Sequence, residues 1–458
     1  MIKGIKLCVN SQTPLLRFKT SYVALLDKYG YLDSPLDISR LEEDIDYQIT
    51  PGGVTSMIFP LLRRLMSEGT VANSYWVALG PDAPPEASGM GIQFINIDLG
   101  KRDLPRYANF KECIWNAVHG LSSSEIVPEE YQAYTRYNWL TARTLLNLLP
   151  NVDLYFIHDF QQLQVGHLIG PSAPTVFEWH IPFRVEPLSP KMRLFITKNI
   201  AGFDAMIVST RRDLEGLIRA GYHGSAYQVY PYIDLEHWRN GPSPNIQSKV
   251  MDKFGLSNDD FILLTVGRMD RVKAQDVAIR ALALLKKKYP KAKLLLIGNG
   301  SFTGSAQGGL SHSKARVWLS ELQNLTKELR LEESVIFAGF QPDEIVHAAY
   351  SMCDVVLVPS NIEGFNLTSI EGWINRKPIV VSQGAGSSEL INEGVNGYSF
   401  PPKDHERLSR RVSKLLSNGE AASKMGESGS DTARICSIDQ RLKSVKEVFE
   451  DVLTKFGS

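Results

Sequence analysis

Cysteine is scarce: Cys8, Cys113, Cys353 and Cys436 stand far apart in a chain of 458 residues. Their spacing suits neither redox exchange nor a metal, so they read as reduced thiols of a cytoplasmic protein. Net charge is missing too. Lysine plus arginine and aspartate plus glutamate number 50 each, which removes the broad positive field that sequence-independent nucleic-acid binding requires. No apolar run approaches the ~20 residues of a membrane-spanning helix, and Met1 to Asn10 has no long apolar region behind it, so no secretory signal is expected. No short internal repeat is present.

What remains is an ordinary globular composition, 43% hydrophobic and 22% charged, in a chain long enough for two domains at ~100–200 residues each. Short apolar runs alternate with helical patterns, the form of a parallel sheet wrapped in helices. Ile5–Val9, Asp153–Ile157, Thr175–Trp179 and Ala205–Val208 are the expected strands of the first half. Val54, Met57, Ile58, Leu61, Leu62 and Leu65 share one helix face just after Gly52 and Gly53. Residues 10–50 and 81–130 fit this alternation poorly and read as insertions lying over the domain. The pattern breaks at Gly241-Pro242-Ser243-Pro244-Asn245, the expected linker. A second series follows at Phe261–Val266, Lys293–Ile297, Val335–Phe337, Asp354–Val358 and Pro378–Val381, again a doubly wound sheet. Ser301–Ser313, rich in glycine and serine, reads as a mobile loop, and Leu442, Val445, Val448, Phe449 and Val452 line one face of a final helix.

The informative segment is Pro359-Ser360-Asn361-Ile362-Glu363-Gly364-Phe365-Asn366-Leu367-Thr368-Ser369-Ile370-Glu371. A buried strand ends, Gly364 permits a tight path, and a helix begins near Leu367. Free amides at such a point can hold a diphosphate. Glu371, about one turn into the helix, is placed to hydrogen-bond a ribose, while Glu363 stands in the loop before it. In Val266-Gly267-Arg268-Met269-Asp270-Arg271-Val272-Lys273, Arg268 and Lys273 leave another strand end together and can neutralise charge on a departing diphosphate. Two glutamates eight apart would alone be surface charge, and the basic pair alone could serve Asp270 and Asp276; the flanking strand and glycine decide for a site.

These motifs resemble the retaining GT-B glycosyltransferases with a Glu-x7-Glu motif, the glycogen-synthase-like and trehalose-synthase-like class. Glu363 and Glu371 match that motif, Arg268 and Lys273 its basic pair, and Leu296-Ile297-Gly298-Asn299-Gly300 its glycine turn. The resemblance covers most of residues 150–435. It implies an α/β fold of two Rossmann-like domains facing a cleft: residues 1–240 on the acceptor side, 241–437 binding the nucleotide sugar, and 438–458 a helix packing back on the N-terminal domain. It implies that Glu363 touches the donor sugar, Gly364, Phe365, Asn366 and Leu367 hold the diphosphate, and Glu371 binds ribose. In Phe156-Ile157-His158-Asp159, His158 resembles the histidine that approaches the donor sugar. Phe177-Glu178-Trp179-His180 resembles a second strand end of this kind, with His180 on the donor. Gly53 resembles the turn that meets the phosphates, although some 40 residues separate it from the first strand, where the class has a short loop.

The trehalose-synthase branch, suggested by His158-Asp159-Phe160-Gln161, implies transfer of glucose from a nucleotide sugar to a small hydrophilic acceptor, with retention. The alternatives are a lipid-linked or polysaccharide acceptor and a non-catalytic nucleotide-sugar sensor. No cofactor and no essential metal are expected: Asp44-Ile45-Asp46 has the Asp-x-Asp form used for metal in another glycosyltransferase fold but lies in an irregular insertion. Arg63-Arg64 reads as a solvated helix face, with an anionic membrane as the other reading. His158 and His180 could also be core histidines. Gly298-Asn299-Gly300 has the wrong continuation for a dinucleotide fingerprint.

Overall fold

The computed structural model describes residues 3–50, 53–121, 125–235, 238, 241–298 and 310–457. The chain divides into two units, Met1–Val229 with Arg441–Ser458, and Tyr230–Gln440. The pattern break at 241–245 is a helix start. Ser243 accepts from the Ile246 amide, Pro244 opens the helix Pro244–Phe254, and Gly255, at φ 58°, ends it in a left-handed cap.

The first unit contains β1 (Ile5–Asn10), β2 (Leu16–Phe18), β3 (Leu36–Asp37), β4 (Tyr47–Ile49), β5 (Val71–Leu79), β6 (Glu86–Gly89), β7 (Ile92–Ile97), β8 (Leu154–His158), β9 (Thr175–Trp179), β10 (Ala205–Val208) and β11 (Ser225–Gln228). Nine of them form one sheet in the order β11-β10-β9-β8-β1-β5-β7-β6-β3. Every residue of β8, β9 and β10 is buried, as expected of parallel strands covered on both faces, where continuous apolar runs replace alternation. The exception is the charged Glu178 inside β9.

The two supposed insertions are part of this architecture. β5, interrupted in sequence by Asn73 and Ser74, pairs with β1 in the middle of the sheet. β6 and β7 form an antiparallel hairpin that widens it. Met90 and Gly91, at φ 56° and 76°, make the turn, and positive φ at both central residues matches the twist of the flanking strands. Helices Asp103–Val118 and Pro128–Leu148 bury Tyr107, Phe110, Ile114, Tyr134 and Tyr137 in the core. Within 10–50, β2 pairs with β4 and β3 joins the sheet edge. Asp46 is buried there, accepting from Lys28 Nζ and the Glu42 amide, both at 2.9 Å, and from Tyr29. It is a structural acceptor.

The second unit is a six-stranded parallel sheet: β12 (Phe261–Val266), β13 (Ala292–Ile297), β14 (Val335–Gly339), β15 (Val355–Val358), β16 (Ile379–Ser382) and β17 (Tyr398–Phe400). Its order is β14-β13-β12-β15-β16-β17. Strand order reverses between β12 and β15, and in open α/β sheets such a switch point marks the ligand crevice beyond the carboxyl ends of the strands. Most of the loop expected at Ser301–Ser313 lies outside the described residues, as do Gly52, Asn299 and Gly300.

Candidate active site

The loops after β12 and β15 leave neighbouring strand ends of the second unit. The Asn361 amide donates to the Val272 carbonyl at 2.8 Å, tying the two loops together across the sequence. Lys273 closes a 3-10 turn, Arg271–Lys273, in which the Asp270 side chain accepts from the Val272 amide. Its ammonium forms an ion pair with Glu363, and each side chain is 17% exposed. The other carboxylate oxygen of Glu363 accepts from Ser360 Oγ at 2.8 Å and Asn366 Nδ2 at 2.7 Å. Burial alone would raise the Glu363 carboxyl, but the Lys273 charge and these hydrogen bonds hold it below the usual range.

The left-handed backbone of this segment falls at Asn366, with φ 84°, and not at Gly364. Asparagine tolerates that region better than most residues, and here its Oδ1 accepts from the Ser369 amide at 3.2 Å. Helix Thr368–Ile374 starts there and is only seven residues long. Among the described residues, the amides of Gly364, Phe365, Asn366 and Leu367 donate no hydrogen bond. Successive unpaired amides make an anion-binding concavity without help from a long helix dipole. Glu371 accepts from the Tyr350 hydroxyl, and burial raises its carboxyl. Arg268 is a third exposed and lies 4.0 Å from Asp270.

Gly298 follows β13, with its amide committed to the Gly339 carbonyl at 2.8 Å. A Cβ on it would lie 2.0 Å from the Gly267 oxygen, so this glycine is required for the close passage of two strand ends. Gly53 sits in the first unit at φ 67°, the cap of helix Val54–Ser67.

In the first unit, His158 and Glu178 end β8 and lie within β9, and His180 follows β9. His158 is fully buried; the side chain of His180 is 9% exposed. His158 Nδ1 and His180 Nε2 are 3.2 Å apart. Glu178 lies 3.7 Å from His158 Nδ1 and 3.8 Å from His180 Nδ1, and it pairs with Arg441, equally buried, on helix Ile438–Phe456. Burial, then His180 and Arg441, press the His158 imidazole well below its usual range. Asp159, at φ 70°, accepts from the His180 amide at 3.4 Å; burial raises its carboxyl. The ligand atoms of His158, Glu178 and His180 lie within 4.8 Å of one another. The Arg441 guanidinium already neutralises Glu178, however, and a metal there would face a second cation at close range. The trio is read as a hydrogen-bonded histidine pair beside the Glu178–Arg441 ion pair.

Tyr350, Glu178 and Arg441 were not singled out from the sequence. Two of them left a signal: Glu178 interrupts the apolar run of β9, and Arg441 shares the i, i+4, i+7 face of Val445 and Val448.

Residues 247–432 match the family described as glycosyl transferases group 1, and residues 104–214 match trehalose synthase, N-terminal domain. Trehalose-6-phosphate synthase OtsA superposes with a TM-score of 0.73 at 17% identity, over 98% of both chains. HepE of Anabaena, solved in complex with UDP-glucose, does so at 0.67 and 17%, over 98% of this chain and 100% of that one. The fold is therefore GT-B, and the chain carries a domain of the glycosyl transferases group 1 kind and one of the trehalose synthase N-terminal kind. A D-inositol 3-phosphate glycosyltransferase of Thermobifida fusca (strain YX) is 23% identical over 426 residues, 88% of this chain and 89% of that protein. EpsD of Bacillus subtilis (strain 168), assigned as a glycosyltransferase, is 28% identical over 250 residues. That match takes in 54% of this chain and 60% of EpsD, so the chain spans less than two thirds of that relative. Among the described residues no helix is long and apolar enough to cross a membrane.

Proposed function

We propose that the protein transfers a hexose, glucose, from a nucleoside-diphosphate sugar to a small hydroxylated acceptor with retention at the anomeric carbon. The observation that carries this reading is the Lys273–Glu363 pair beside the four unpaired amides of residues 364–367, beyond the ends of β12 and β15. The amides of Gly364 to Leu367 take the diphosphate, Glu371 the ribose, and Glu363, pinned by Lys273, Ser360 and Asn366, the sugar hydroxyls. Arg268 and Lys273 offset the charge that grows as the bond from the anomeric carbon to the phosphate oxygen breaks. The acceptor hydroxyl forms the new bond on the same face and passes its proton to the departing phosphate. Of the two histidines of the first unit, His158 is fully buried and the side chain of His180 is 9% exposed, which supports His180 as the one that meets a sugar hydroxyl. No metal is required.

Acceptor choice is drawn from the names of the relatives: a trehalose synthase domain, a trehalose-6-phosphate synthase and an inositol-phosphate enzyme. The test is nucleoside-diphosphate release from UDP-, ADP- and GDP-glucose with glucose, glucose 6-phosphate or inositol 3-phosphate, beside Glu363→Ala and Lys273→Ala. Acceptor-dependent release, lost in both variants, is expected. Donor binding without release across the panel would reject transfer to these acceptors and favour a sensor.

A further inference from the structure

The first unit buries a complete ion pair beside His158 and His180. Glu178 is 2% exposed and Arg441 4%. A buried ion pair is a poor source of stability, because desolvation of both charges offsets their attraction. Arg441 also donates to the Val229 carbonyl at 3.2 Å, so its guanidinium is held from two sides. The carboxylate it grips then faces both imidazoles.

The charges decide the tautomers. If the His180 Nε2–H donated to His158 Nδ1, two nitrogens without a proton, His158 Nδ1 and His180 Nδ1, would lie 3.7 and 3.8 Å from the Glu178 carboxylate. With the proton on His158 Nδ1, that N–H donates to His180 Nε2 at 3.2 Å and lies 3.7 Å from Glu178 Oε2. His180 then carries its own proton on Nδ1, 3.8 Å from Glu178 Oε1. Both protonated nitrogens now lie within 3.8 Å of the carboxylate, and the second arrangement is favoured. At 3.8 Å the His180 Nδ1–H is too far from the carboxylate for a hydrogen bond, so it is available to a sugar hydroxyl. Nε2 of His158 is left as a buried acceptor with no hydrogen-bond partner.

We propose that Glu178 and Arg441 are positioning residues: Arg441, delivered by the last helix, fixes Glu178, which holds His158 and His180 as Nδ1–H tautomers and orients His180 for a sugar hydroxyl. The ionisable groups around the imidazoles are Asp159, Glu178 and Arg441, and the carboxylate nearest both Nδ1 atoms is that of Glu178. The effect on turnover rests on the glycosyl-transfer reading; the tautomer assignment does not.

The test is long-range proton–nitrogen correlation on the full chain labelled with [15N]histidine, with signals assigned by their loss in His158→Gln and His180→Gln. Nδ1-protonated patterns are expected for both residues. The double variant Glu178→Gln/Arg441→Met removes both charges together and avoids stranding either one. In it at least one imidazole is expected to change tautomer, with kcat reduced ~10–100-fold, as for lost orienting partners of functional histidines, and KM for the donor nearly unchanged. Arg441→Lys, which keeps the charge, is expected to preserve the pattern and most of kcat. Nε2-protonated patterns in the native chain, or a double variant with native pattern and kcat, would overturn the proposal. The expected tautomers in a chain that transfers no sugar would overturn the glycosyl-transfer reading alone.

Discussion

Replacing Lys273 by methionine keeps much of its length and removes the charge that holds Glu363. The carboxylate would retain Ser360 and Asn366, both neutral donors. A hydrogen bond to a charged group contributes ~1.5–3 kcal/mol net. With both partners 17% exposed, solvent screening puts the expected loss near the lower end, about 1.5 kcal/mol. For a unit of this size that lowers Tm by roughly 3–6 °C. The pH dependence is more diagnostic. In the native chain the Glu363 carboxyl lies below its usual value, so its contribution is present above the unfolded pKa of ~4.3 and is lost as pH falls through the folded value. In Lys273→Met, burial prevails and raises the carboxyl. Its ionisation then costs stability as pH rises through that higher value, and the gap between the two proteins widens from acid toward neutral pH. Transfer should suffer more than stability, since loss of one preorganised electrostatic group costs ~10²–10³ in rate. Thermal melts from acid to neutral pH and acceptor-dependent nucleoside-diphosphate release read the two effects. A variant whose stability gap does not open with pH, and whose kcat/KM falls less than about tenfold, ~1.4 kcal/mol, would refute the pairing as a functional element.

Glu371→Gln should weaken donor binding with a smaller effect on kcat, measured by titration with nucleoside diphosphate. Because burial raises this carboxyl, the native state binds its proton more tightly than the unfolded chain, so stability falls as pH rises through the raised pKa; the same substitution should abolish that fall, and melts across this range check it. Gly298→Ala would set a Cβ 2.0 Å from the Gly267 oxygen at φ 131°, and denaturant unfolding should show a loss of at least ~1–3 kcal/mol. Asp46→Asn should destabilise the first unit, because the side chain accepts from Lys28, Tyr29 and the Glu42 amide. Dialysis against a chelator should leave turnover unchanged; metal-restored activity would contradict the structural reading of Asp46.

The alternation of apolar runs with helical patterns and the spacing of Arg268, Lys273, Glu363 and Glu371 were legible without coordinates. Parallel strands buried on both faces are largely apolar, and the expected bounds of β9, β10 and β12 are those observed. β5, β6 and β7 were not legible. β5 carries Asn73 and Ser74, and β6 and β7 lie in a region read as an insertion. Their burial depends on partners distant in sequence, which no local period records. The same holds for chemistry made by pairing. Residues 90 positions apart make the Lys273–Glu363 contact, and Glu178 meets Arg441 across 263 positions. Local sequence determined which residue types stand at the strand ends. Only tertiary structure decided that Asn366 takes the left-handed backbone, that His158 is sealed while His180 is partly open, and that the last helix delivers a guanidinium to them. Those outcomes depend on desolvation and neighbouring charge, which exist only once the chain has folded.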